Sequence, residues 1–348
     1  MNLDALRRPT ALYPLLGGLL LTAALYALCS GPLALSPAQV LAALGLPTGA
    51  SVQAFESTTV LQIRAPRIVL ALLIGAALAQ AGAAMQGIFR NPLAEPGLLG
   101  VSSGAALAAV AVIVLGNRIA PDGTLPLPWL LPLATFAGGA VATFLVARLA
   151  QVDGTTRVAT LLLAGLAINA IAGAGIGFLA HLADDLALRS LTFWMFGSLG
   201  KAGWDQILVA LPLLLVPLLL IPRDARALNA LLLGEAEAGH LGIHVERLKR
   251  RLTLLVVMAA GAAVALAGII GFVGLVVPHL VRLWAGPDHR LLLPASALLG
   301  ALLLVLADTA ARLLLAPVEL PIGILTALVG GPFFLALLLR VRGHAESL

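Results

Sequence analysis

The residues able to do chemistry in this chain are few, and most are charged side chains set within or beside long apolar runs. Asp308 and Arg312 stand four apart in one such run, which puts them on one helix face within pairing reach. An unpaired charge at a bilayer centre costs roughly 2.5–3.5 kcal/mol, and pairing offsets much of that. The pair therefore reads as an internal tie between helices or as a contact for something passing. His279 follows Pro278 near the end of another run, with Arg282 beyond it. A lone histidine there reads first as a packing residue with a hydrogen bond. A third group comprises His181, Asp184, Asp185, Arg189 and Lys201, around the half-apolar stretch Leu191-Thr192-Phe193-Trp194-Met195-Phe196-Gly197. Such a stretch suits a broken half-helix of the kind that lines transport pathways.

Other chemistries are missing from the sequence. A phosphate-binding loop ends in Gly-Lys-Ser/Thr. Lys201 sits in Gly200-Lys201-Ala202 and the second lysine in Lys249-Arg250, so neither fits. If ATP and Mg drive a process here, the hydrolysing subunit is expected to be another polypeptide. No series of acids runs through the apolar segments, which argues against a carrier coupled to protons or sodium. Cys29 is the single cysteine, which excludes an internal disulfide and a multi-cysteine metal site. No metal site and no nucleic-acid partner is expected.

The elements that must position these residues are membrane helices. Hydrophobic residues make up 61% of the 348 and charged residues 11%, against about 25% charged in a soluble domain. About 20 apolar residues cross the hydrocarbon of a bilayer. Apolar blocks near 11–31, 67–87, 97–116, 129–150, 157–180, 204–222, 252–269, 271–285, 291–315 and 320–340 give ten spans in one domain covering 1–348. The blocks at 252 and 271 run together, and the Gly268, Gly271 and Gly274 cluster places a cut there. Abundant glycine (36 residues) suits close helix packing in lipid. Continuous apolar runs do not alternate as barrel strands do. Arg7 and Arg8 before the first run resemble a signal peptide. Leu28 before Cys29 does not suit lipoprotein cleavage, so the segment reads as an uncleaved helix.

With both termini inside, 15 of the 21 Lys and Arg residues fall on the cytoplasmic side and 6 outside, as the positive-inside rule requires. Ten spans in two halves of five would form an inverted repeat. The longest cytoplasmic loop, 223–251, has helix formers broken by Gly234, Gly239 and Gly242, with apolar faces from Leu231, Leu232, Leu233 and Leu241. Two short helices with a tight turn follow. They either lie on their own bundle or dock in a partner's groove. Segment 32–66 is long for a connection, and Ser36-Pro37-Ala38-Gln39 predicts a capped short helix there.

The motifs together resemble the FecCD family, the permeases of type II ABC importers for haem, ferric siderophores and vitamin B12. Arg64-Ala65-Pro66-Arg67 opens the second span. Met85-Gln86-Gly87 precedes Arg90-Asn91-Pro92-Leu93-Ala94-Glu95-Pro96, and Gly271-Phe272-Val273-Gly274 leads to Pro278-His279. Glu319-Leu320-Pro321-Ile322-Gly323 and Gly330-Gly331-Pro332-Phe333 close the similarity. The resemblance implies an all-α inner-membrane permease with ten spans and a homodimer with the pathway on its two-fold axis. It also implies two ATP-binding cassette subunits and a periplasmic substrate-binding protein as partners, with the lipid bilayer around them. Leu228, Asn229, Leu231, Leu233, Gly234, Glu235, Ala238, Leu241 and Gly242 would then couple the ATPase to the bundle.

Segment 188–200 is most similar to the haem branch of that family. Haem carries two propionates and a broad apolar face, and arginine grips carboxylates with a two-pronged fork. Arg189 is therefore expected at the entrance, with Phe193, Trp194 and Met195 against the porphyrin. His181 and Met195 are transient iron-ligand candidates. The plain alternative has Arg189 paired with Asp184 or Asp185. Arg64 and Arg67 either anchor their span or meet acids on the binding protein.

Overall fold

The computed structural model describes residues 9–119, 127–152, 155–156 and 158–345. Of the residues used above to assign sides, Arg7, Arg8 and Arg157 lie outside the described residues, as do the side chains of Arg118, Arg340 and Arg342.

The chain is almost wholly helical. It runs through α1 (Pro9–Cys29), α2 (Pro37–Ala43), α3 (Ala54–Phe89, π-helical over Thr59–Arg64), α4 (Val101–Ile119) and α5 (Leu127–Leu149). After the two-residue strands β1 (Gln151–Val152) and β2 (Thr155–Thr156) come α6 (Val158–Leu182), α7 (Asp185–Met195) and α8 (Trp204–Leu220). The rest is α9 (Ala225–Leu231), α10 (Glu235–His240), α11 (Val245–Ala267), α12 (Val273–Ala285), α13 (His289–Leu313) and α14 (Ile322–Ala345). Among the described residues seven helices are long and apolar enough to cross a membrane, and three shorter apolar ones, Val101–Gly116, Val273–Ala285 and Ile322–Ala336, fall on the remaining expected spans.

The centre of the bundle is α3, whose most apolar stretch is 78% buried. Small residues let its neighbours close on it. A Cβ on Gly82 would strike the Gly274 carbonyl of α12, and one on Gly75 would strike Gly300 of α13. Gly104 and Gly138 make the same kind of approach between α4 and α5. Lipid gives no hydrophobic force between helices, so such close backbone contact supplies the attraction.

Helix ends follow the local sequence. Helix α3 stops where Arg90 turns left-handed (φ 48°), and Pro92 cannot continue a helix. The cut expected within 268–274 is real. Helix α11 ends at Ala267, Gly268 takes φ 72°, Phe272 takes φ 67° and α12 begins at Val273. Ser36 caps α2 through a reciprocal bond with Gln39, as expected. Gln39 also donates to Glu56 (3.3 Å) and so ties α2 to the start of α3.

The turn after α3 buries part of a carboxyl group. Asn91 Oδ1 accepts from the Leu93 amide (2.9 Å), and a short 3-10 turn, Pro96–Leu99, follows Glu95. Burial pushes the Glu95 carboxyl above the usual range, because desolvation disfavours the charged form. The folded chain therefore binds this proton better than the unfolded chain does. Stability from this group is full below the ordinary glutamate value of about 4.3 and falls as pH rises toward the folded value. Glu95→Gln is expected to raise the melting temperature at pH 7.5 and to give no gain near pH 4. Thermal unfolding in detergent at the two pH values checks it, and equal gains at both would refute the burial argument.

Candidate functional site

Three helix interruptions meet at the end of the bundle that carries Arg67. The Ser198 amide donates to the Ala267 carbonyl (2.8 Å), which α11 leaves free where it breaks. The Ile322 and Gly323 amides at the start of α14 donate to the carbonyls of Gly197 (3.1 Å) and Phe196 (2.9 Å). Backbone groups at membrane depth must find protein partners, and here each broken helix supplies them to the others. Gly268 is needed at this junction. A Cβ there would strike the Trp194 carbonyl, and its φ is one that side-chain-bearing residues avoid.

The junction floors a cavity of about 800 Å³. Helix α7 forms one wall and divides cleanly by face. Arg189, Ser190, Phe193 and Trp194 line the cavity. Ala187, Leu191 and Met195 pack away from it against Val110 and Val114 of α4. Of the residues named from the sequence, Arg189, Phe193 and Trp194 lie on the cavity wall, and Met195 and His181 do not. Met195 lies on the opposite helix face, because it continues the 187, 191, 195 stripe that α4 covers. His181 belongs to the last turn of α6 and lines no part of the cavity.

Arg189 also escapes the acids that might have neutralised it. Asp184 caps α7 by accepting from the Ala187 amide (2.7 Å). Among the described residues, neither Arg189 nor Lys201 forms an ion pair. Both line the cavity and both are exposed. The wall also holds Gln206 of α8 and Glu319, whose carboxylate is held by Arg67.

Beneath the rim lies a network of charges. Arg67 donates from Nε to Asp308 Oδ1 (2.9 Å) and from Nη1 to Glu319 (2.9 Å). Arg312 donates to Asp308 Oδ2 (3.3 Å), Ser30 O (2.9 Å) and Ala27 O (3.2 Å). The expected Asp308–Arg312 pair is present and is one part of a larger network. Arg64 donates to the carbonyls of Leu28 (2.6 Å), Cys29 (3.2 Å) and Leu33. Arg64 and Arg67 are only 5% and 8% exposed. The expectation that they meet acids on a binding protein is therefore corrected. Their donors already serve α1, α13 and the 314–321 segment, so they anchor the span. Nothing in the sequence near Arg67 points to Asp308, 241 residues away.

At the other end, loop 223–251 forms the expected pair of short helices, turning at Gly234 (φ 130°). Leu228, Leu231 and Ala238 are buried against the bundle. Asn229 donates to Asp288 (2.6 Å) and accepts from the His289 amide (2.8 Å), which fixes α9 to the start of α13. The Arg290 amide (2.9 Å) first, and the Asn229 side chain after it, donate to the Asp288 carboxyl and hold it below the usual carboxylate range. Lys249 binds Glu235 (2.7 Å) and fixes α10 to α11. Leu233 (68%) and Leu241 (64%) point outward, and Gly242 lies exposed beside them. The loop is therefore clamped on one side and apolar on the other.

Residues 19–340 match the FecCD transport family. The chain is 50% identical over 282 residues to the hemin transport system permease protein HmuU of Yersinia pestis, covering 81% of this chain and 83% of that one. It is 47% identical over 276 residues to the cobalamin import system permease protein BtuC of Halobacterium salinarum, covering 79% and 72%. It is 42% identical over 326 residues to the vitamin B12 import system permease protein BtuC of Klebsiella pneumoniae, covering 94% and 92%. Among solved structures, a metal-chelate type ABC transporter in an inward-facing conformation superposes with a TM-score of 0.83 at 32% identity. That match covers 95% of this chain and 99% of the other.

Proposed function

The chain belongs to the FecCD transport family, and from that premise we propose that it is the permease through which an ABC importer moves haem from periplasm to cytoplasm. As an ABC importer permease it is a transport component and not an enzyme. The observation that carries the haem reading is the cavity of about 800 Å³ with Arg189 and Lys201, which form no ion pair among the described residues, beside Phe193 and Trp194. Haem presents two carboxylates and a flat apolar face, which these side chains complement. The relative named for hemin supports the same substrate. The relatives named for cobalamin keep vitamin B12 as the second reading. Cobalamin has amides and a single phosphodiester anion in place of paired carboxylates, so it would serve at most one of the two cations.

In this reading two copies enclose one pathway in the inner membrane, with both termini cytoplasmic. Gly173 and Gly177 of α6 face open space on their own chain, which leaves room for a second backbone to approach. Leu233 and Leu241 seat in the ATP-binding cassette subunits, which supply ATP hydrolysis. A periplasmic binding protein hands over the cargo at the cavity end. ATP binding and release rock the two copies, and loop 223–251 carries the movement to α11 and α13 through Lys249 and Asn229.

The test is uptake into proteoliposomes holding this chain and its ATPase, with the binding protein on the outer face. ATP-dependent haem accumulation is expected, with cobalamin and ferric siderophore moving far more slowly. Arg189→Ala removes one charged contact, worth roughly 1.5–3 kcal/mol, so haem uptake should fall about 10- to 100-fold. ATP-driven cobalamin uptake without haem uptake would overturn the substrate and keep the machine.

A further inference from the structure

A second cavity lies at the loop end of the bundle, well apart from the substrate cavity. It is a slot of about 260 Å³ between α5 and α11, with Phe89 of α3 and Leu161 of α6 also lining it. Its walls follow Ala140 to Ala147 on α5, with Gln151 of β1 beyond it, and Glu246 to Val257 on α11. The α11 stretch rises about 16 Å at 1.5 Å per residue. So small a volume over such a length makes the slot narrow. Its sides are apolar along Ala140, Phe144, Ala147 and Val257. Phe144 and Leu254 border it and are 62% and 60% exposed on apolar, membrane-crossing helices. The slot therefore opens sideways toward lipid.

Its charge is gathered at one end. Helix α11 begins Val245-Glu246-Arg247-Leu248-Lys249-Arg250-Arg251 and becomes apolar after that, so the membrane boundary falls at this level. Arg250 lines the slot and is exposed. Among the described residues it forms no ion pair, while Arg251 is held by Asp224 and Lys249 by Glu235. Arg247 stands one turn earlier on the same face and is also exposed. Arg148 ends α5 nearby and is exposed as well. Among the described residues the lining holds one carboxylate, that of Glu246, and Lys249 Nζ lies 3.4 Å from it.

We propose that the slot is a binding site for an anionic phospholipid, with one acyl chain between α5 and α11 and the phosphate on Arg250. The charge supports this occupant. Basic pockets between helices at a membrane surface attract anionic headgroups, and an arginine fork matches phosphate oxygens. An apolar slot ending in an unpaired guanidinium suits a molecule with a tail and an anion at that same spacing. The site adjoins the docking loop through Lys249, whose partner Glu235 opens α10. A bound lipid would brace the clamp that holds that loop.

The test uses the full chain with its ATPase, in nanodiscs mixing phosphatidylglycerol and phosphatidylcholine, with retained lipids read by native mass spectrometry after release into detergent. The unmodified protein is expected to retain phosphatidylglycerol at least fivefold over its share of the mixture. Arg250→Gln should remove that preference, and Ala147→Phe, which fills the slot without touching charge, should lower retention of both lipids. Melting temperature and helix content are checked for each variant, and Thr253→Leu serves as a second slot-filling change should Ala147→Phe unfold. Equal retention of the two lipids by the unmodified protein, or no effect of Arg250→Gln, would overturn the site. Displacement of phosphatidylglycerol by millimolar inorganic phosphate alone would overturn the lipid in favour of a free anion. Slot occupancy that depends on the ATPase subunit would overturn it in favour of a protein segment.

Discussion

Asp308→Ala is expected to destabilise the chain by about 3–5 kcal/mol, the usual cost of removing one partner from a buried ion pair. Asp308 is 1% exposed and accepts from both Arg67 and Arg312. Without it, two buried guanidiniums face each other across the gap between α3 and α13 with no common anion. Glu319 keeps its hold on Arg67, but its carboxylate is about half exposed and lies at the cavity rim. The loss should appear as a large drop in melting temperature in detergent. Arg67→Met in the same chain removes one of the stranded cations and should recover part of it. An Asp308→Ala protein that melts with the unmodified one would mean that the network contributes no stability.

Leu233→Asp is expected to uncouple ATP hydrolysis from transport while leaving the fold intact. The side chain is 68% exposed, next to the positive-φ turn at Gly234 and opposite the clamped face of Leu228 and Leu231. A buried apolar anchor at a protein interface carries about 2 kcal/mol or more when truncated, and a carboxylate in its place adds desolvation. A loss of about 3 kcal/mol corresponds to over 100-fold in affinity. Co-purification of the ATPase subunit and ATP-driven uptake should both collapse. Melting of the isolated permease should stay within about 0.5 kcal/mol of the original. Unchanged co-purification would place the ATPase contact elsewhere. Leu228→Asp should instead damage the fold itself, because that leucine lies on the buried face of α9.

The apolar spans, the membrane class, the family motifs and the two short helices of loop 223–251 were legible in the amino-acid sequence. Each is a local or compositional property. An apolar run of 20 residues has one stable home, and Gly234 and Gly268 offer the positive φ at which a helix can end. The split of α7 into a cavity face and a packing face was open to reading too, because positions 187, 191 and 195 follow the helical repeat. Met195 was nevertheless placed on the wrong face, since its chemistry suggested iron while its position in the repeat sent it against α4.

Which charges are already paired is set by packing across the bundle. Arg64 and Arg67 look like surface cations in the chain order, yet folding brings Asp308, Glu319 and three backbone carbonyls to them. Arg189 stands among acids in the sequence and has no ion-pair partner among the described residues, because Asp184 is turned to cap its own helix. Helical periodicity fixes the face on which a charge lies. The other half of an ion pair comes from a helix hundreds of residues away, and only packing sets which helix that is.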